Sequence, residues 1–309
     1  MSSPTLTDAP APPAPPAGTT RPPTGRRRRP HRIQPSGGWS GNLVLAVLCL
    51  LWLVPAVGLV VTSLRTNVDV ASSGWWTVFV NPRLTIDNYI ESLQRLDVGT
   101  SLLYSLAIAV PTTVVVLLLS AYAAYAFAWM SFRGRRTLFL VVVALLVVPP
   151  QVTLAPMLRL FTDLGFSGTV PAVWVFQVGL SLPFGIFVLR NAFSGIPREI
   201  LESAQMDGAS QLTTFLRIVL PVSMPALVAV GILQFLWAWN DLLSPLIFLG
   251  ANSGDAPVTV EIAGMVQSTG TGENLLVASA VLAVLVPLTV FVVLQRYFVK
   301  GALEGSVKG

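Results

Sequence analysis

Six runs of apolar residues, at about 43–64, 102–129, 137–158, 170–190, 222–243 and 275–295, constrain this chain more than any other feature. Each is close to the ~20 residues that a helix needs to cross the hydrocarbon core of a bilayer. The runs are rich in Leu, Val, Ala and Ile and show no strict alternation, the pattern of spanning helices rather than barrel strands. Only 11% of the 309 residues are charged, with a mean hydropathy of +0.72, whereas a soluble domain carries roughly 25%. The expected fold class is an all-α integral membrane protein with six transmembrane helices. Cys49 is the one cysteine and His31 the one histidine, which excludes a disulfide framework and a Cys/His metal site.

Residues 1–38 hold ten of the 24 prolines and too few large apolar side chains to offset the entropy of ordering, so a disordered tail is expected. Its arginine run, Arg26 to Arg29 with Arg32 just beyond, reads as a topogenic cluster; the alternative is a patch for anionic lipid or nucleic acid. The first run spans 22 residues, longer than the ~7–15 of a signal peptide's apolar core, and is expected to remain as an anchor. Fifteen of the 19 lysines and arginines fall in the tail, the 130–136 turn, the 190–221 loop and the C-terminus. The other four, Arg65, Arg83, Arg95 and Arg159, fall on the opposite side. The positive-inside rule therefore places both termini in the cytoplasm. It leaves 65–101 and 251–274 as outer loops and 297–309 as a cytoplasmic tail.

The 190–221 loop has internal structure. Pro197 suits the first position of a helix, with Glu199 and Glu202 in its early turns, where the dipole favours negative charge. Gly208 supplies a stop at positive φ. Ser210 can cap a second helix in which Leu212, Phe215, Leu216 and Val219 repeat at helical spacing. A helix lying flat on lipid is one reading. The loop is poor in Lys and Arg, which favours docking into a protein groove instead.

Glu202-Ser203-Ala204, Asp207-Gly208-Ala209, Phe215, Ile218 and Leu220-Pro221 resemble the EAA loop of ABC importer permeases, with Ser203 where that family usually has Ala. Trp237-Ala238-Trp239-Asn240-Asp241, the Gln295 to Val299 segment and the closing Val307-Lys308-Gly309 resemble the carbohydrate, maltose-permease-like branch. The resemblance covers about 40–309 and implies a type I permease core over 102–296, with its EAA loop at 198–221, in a bacterial plasma membrane. It implies that Glu202, Ala204, Asp207, Gly208, Ala209 and Phe215 couple to a cytoplasmic ATPase, toward which Gln295, Arg296 and Lys308 of the tail reach. The implied partners are a second, homologous permease, an ABC ATPase dimer and an extracellular solute-binding protein, besides membrane lipid; no nucleic acid is expected. The implied cargo is an oligosaccharide or a related polyol or glycoside. The alternatives are a non-sugar solute, which would share the loop but not the tail, and a secondary transporter.

No G-x-x-x-x-G-K-[ST] occurs, and the two lysines, Lys300 and Lys308, do not follow glycine. ATP and Mg are therefore expected on a partner chain, with no cofactor on this one. No H-E-x-x-H or G-x-S-x-G appears either, and no catalytic residue is expected. Trp237, Trp239, Asn240 and Asp241 are candidates for the substrate path. Asp241 stands close to the outer end of the fifth run, where it either lines a gate or touches cargo. The tryptophans either stack on sugar rings or form an interfacial belt.

Overall fold

The computed structural model describes residues 39–250, 254–267 and 272–306, and among these every regular element is helical. Contacts divide the chain after Trp52. The first unit contributes residues 39–52, the opening half of α1 (Trp39–Ser63), all exposed. The basic tail, 1–38, lies outside the described residues.

The second unit begins with the rest of α1. The expected outer loop 65–101 is folded: α2 (Asn67–Ser72), a 3-10 turn (Trp75–Phe79) and α3 (Asp87–Gln94) precede α4 (Val98–Trp129). Buried Arg65 donates to the carbonyls of Asp69 at 2.8 Å and Ser73 at 2.9 Å. Asn88 donates to the Ser63 and Arg65 carbonyls and accepts from Asn274 at 2.6 Å. These side chains satisfy backbone groups that a bare connector would leave to solvent.

Four helices are long and apolar enough to cross a membrane alone: α1, α4, α7 (Val170–Ser194) and the first 23 residues of α14 (Glu273–Ser306). The third expected span is instead a bent pair, and the fifth is a 17-residue helix entered at a sharp bend. The third is α5 (Arg135–Leu145) and α6 (Pro150–Asp163), meeting at 97°. Pro149 and Pro150 supply the cause. Together they remove two donors and force the preceding residue to be extended, and Pro149 has ψ 131°. The fifth run is preceded by α8 (Arg198–Met206), α9 (Gln211–Thr214) and α10 (Leu220–Val222), and α9–α10 meets α11 (Met224–Asn240) at 76°. After α11 the chain breaks at Asp241 and resumes as α12 (Leu243–Phe248). A further helix, α13 (Val258–Gln267), lies in the second expected outer loop, and α14 runs to Ser306 across the expected start of the tail.

The most extensive packing joins α4 to α7. It depends on small residues: a Cβ at Gly185 would overlap the Ser120 side chain, and membrane helices approach closely through such pairs. Gly185→Leu is expected to destabilise the protein by at least ~1–3 kcal/mol, the scale of overpacking. Thermal unfolding in detergent should show the lower midpoint, and Ser120→Gly should recover part of it. An unchanged midpoint would mean that the two helices do not meet there.

Candidate functional site

The helix α8 ends in a motif that explains its Asp-Gly-Ala sequence. Gly208 has φ +78° and donates to the Gln205 carbonyl, while Ala209 donates to the Ala204 carbonyl, both at 3.0 Å. That pair of bonds is a Schellman closure, and the left-handed position favours glycine. Ser210 then caps α9, its Oγ accepting from the Thr213 N–H at 3.2 Å. Pro221 has no N–H and crowds the Arg217 carbonyl. The ladder widens there into a π turn (Phe215–Val219), with Leu220 bonded back to Phe215.

One face of this loop is locked to the helices above it. Leu201, Ala204, Phe215 and Val219 are buried, and Phe215 packs on Tyr122 and Tyr125 of α4 with centroids 4.8 and 5.1 Å away. The Tyr125 hydroxyl donates to Gln211 Oε1 at 2.6 Å. The buried stripe is narrower than the sequence suggests, because Ile200, Leu212 and Leu216 remain exposed. The other face carries Glu202, Met206, Asp207 and Gly208, all exposed, with Met206 at 88%. Glu202 lies 3.6 Å from Arg198, a solvent-facing pair of small worth.

A second feature is a cavity of about 590 Å³ between α6, α7, α11 and α12, lined in part by Gln151, Gln177, Ser181, Gln234, Trp237, Asn240 and Asp241. Both chain breaks, at Pro149-Pro150 and at Asp241, border it. Asp241 Oδ1 accepts from the N–H groups of Leu243 and Ser244 at 3.1 and 3.2 Å, which caps α12. Asp241 Oδ2 accepts from Gln177 Nε2 at 2.8 Å, and Gln177 Oε1 accepts from Thr112 at 3.4 Å. Thr112 lies near the middle of the 32-residue α4. Asp241 directly follows α11, at the end of that helix as expected, and its side chain is linked through Gln177 to the middle of α4. Trp237 borders the cavity with its ring 5.1 Å from Phe184. Trp239 does not: it is 3% exposed and stacks on Phe235 in the core.

Gln177 and Gln234 are not among the residues expected from the sequence. Each is an amide flanked by apolar residues within a spanning run, and that alone marks it as a polar group needing a partner inside a membrane. Gln295 is exposed on α14. The side chain of Arg296 and all of Lys308 lie outside the described residues.

Residues 116–303 match the family described as binding-protein-dependent transport system inner membrane component. This chain belongs to that family. The permease is 45% identical over 271 residues to the osmoprotective compounds uptake permease protein GgtD of Synechocystis sp., covering 86% of this chain and 91% of that one. It is 48% identical over 240 residues to the alpha-glucoside transport system permease protein AglG of Rhizobium meliloti, across 76% of this chain and 63% of that one. Its fold is that of a bacterial ABC transporter involved in the import of the acidic polysaccharide alginate. There the TM-score is 0.71 at 21% identity, over 86% of this chain and 98% of that one.

Proposed function

We propose that this permease forms half of the pore of an ATP-driven ABC importer for a sugar, or a related polyol or glycoside, delivered by an extracellular binding protein. The observation that carries the reading is a loop joined to two places at once. Its buried face is fixed to α4 through Phe215 and Tyr125, while its outer face, Glu202, Met206, Asp207 and Gly208, is free to enter an ATPase cleft. Glu202, Ala204, Asp207, Gly208, Ala209 and Phe215 are the coupling residues, and Gln295, Arg296 and Lys308 extend toward the same ATPase dimer. ATP and Mg bind that partner, and this chain holds no cofactor. Both termini face the cytoplasm. A second, homologous permease completes the pore. The name of AglG, an alpha-glucoside permease protein, supports a glycoside cargo, and the amides around the cavity offer donors and acceptors suited to hydroxyl groups.

Uptake tests this. Vesicles holding the permease with its companion permease, ATPase and binding protein should accumulate labelled α-glucosides only with ATP and the binding protein together. Uptake driven by a proton gradient without ATP would overturn it. In the same vesicles Trp237→Ala is expected to raise the apparent KM for cargo with assembly intact. Trp239→Ala, a core truncation, should instead lower stability by about 3–5 kcal/mol, read as a lower Tm. A raised KM from Trp239→Ala alone would reverse that assignment.

A further inference from the structure

The segment between α1 and α3 leaves the end of the span and returns to it. Arg65, buried at the end of α1, holds Asp69 and Ser73, and the Thr85 N–H donates to the Leu64 carbonyl at 2.7 Å, so residues 66–84 form an excursion pinned at its base. From Val70 to Pro82 it carries no charged residue, with Asp69 and Arg83 flanking it. Its tip is the 3-10 turn, in which Trp75 packs edge-on against Trp76 and Phe79. Trp76, Phe79 and Val80 are 63%, 77% and 88% exposed, a cluster of large apolar groups that water would disfavour.

Depth decides what covers this cluster. Gly58 of α1 is buried, and a Cβ there would meet the Trp75 indole at 2.9 Å, so the turn lies against α1 at that level. Gly58 is five residues before the end of α1, which places the turn ~7.5 Å back along the span at 1.5 Å per residue. That matches the ~5–10 Å to which interfacial segments sink below the headgroups. Val54 and Val57, on the α1 surface beside Gly58, are likewise exposed and apolar. Backbone groups at the tip are satisfied locally: Thr77 donates to Gly74, and Val80 and Asn81 donate to Thr77. Local satisfaction is the condition for placing irregular chain in an apolar medium, and tryptophan is enriched at this boundary.

We propose that residues 75–80 are a membrane-interface anchor, folded back from the end of α1 so that Trp76, Phe79 and Val80 insert among the lipids of the adjacent leaflet. The anchor holds the base formed by Arg65 and Asn88 at a fixed height, and Asn88 carries that constraint to the start of α14 through Asn274.

Collision accessibility of spin labels tests the proposal in the complete transporter reconstituted in lipid. Cys49, exposed on α1, is replaced by serine, and labels are attached through Phe79→Cys or Val80→Cys, with Asp87→Cys on the exposed face of α3 as the aqueous reference. The ratio of oxygen to nickel-chelate collisions is expected to be several-fold higher at 79 and 80 than at 87. Nickel access equal to that at 87 would place the turn in water. Exclusion of both reagents would mean that a protein partner covers it. Either result overturns the proposal, and neither depends on which cargo is carried. Val80 is the second site because its side chain, 88% exposed, makes little contribution to folding.

Discussion

Phe215→Ala is expected to abolish ATP-dependent uptake while the permease still inserts and binds its companion. Phe215 is 2% exposed and is the side chain through which the loop grips Tyr122 and Tyr125 of α4. Truncating a buried Phe costs about 3–5 kcal/mol, a large part but not all of the ~5–15 kcal/mol that holds a domain folded. The loss falls on the contact that makes the loop and α4 move as one body. ATP hydrolysis should continue but no longer respond to cargo-loaded binding protein. Phe215→Leu, which keeps most of the volume, should retain part of the coupling. Full uptake by the alanine variant would show that force reaches the helices by another route.

Asp241→Ala should be nearly as damaging, whereas Asp241→Asn should be mild. The carboxylate caps α12 through two backbone N–H groups and holds Gln177, which in turn accepts from Thr112. Alanine strands those donors, each charge-assisted bond being worth about 1.5–3 kcal/mol. Asparagine can still accept from the cap, and the Gln177 amide can turn to accept from the asparagine Nδ2. Comparing uptake and Tm for the two variants checks this. If the asparagine variant folds normally but is as inactive as the alanine variant, the negative charge itself acts on cargo.

Much of this architecture is legible in the sequence because it rests on local chemistry. Apolar runs of spanning length locate α1, α4, α7 and the start of α14 to within a few residues, and Gly208 and Ser210 announce the turn and the cap of the loop. What is hidden depends on distant partners or on competing local signals. The cap over 65–97 has no strong period of its own and is held by pairs such as Asn88 with Asn274, 186 residues apart. The bend after Leu145 was available from Pro149-Pro150, but uninterrupted hydropathy across 137–158 masks it. The burial of Trp239 rather than Trp237 depends on which face of α11 meets α14, and a short motif does not carry that phase. The partner of Asp241 is hidden as well, because Gln177 lies 64 residues away on another helix.

The proposed function turns on the outer face of the 198–221 loop seating in an ATPase. A photo-crosslinking residue in place of Met206, which is 88% exposed on α8, tests it most directly in native membranes. One dominant adduct is expected, identified by mass spectrometry as an ABC ATPase chain and altered by ATP. Adducts with lipid alone would contradict it, returning the loop to the membrane surface.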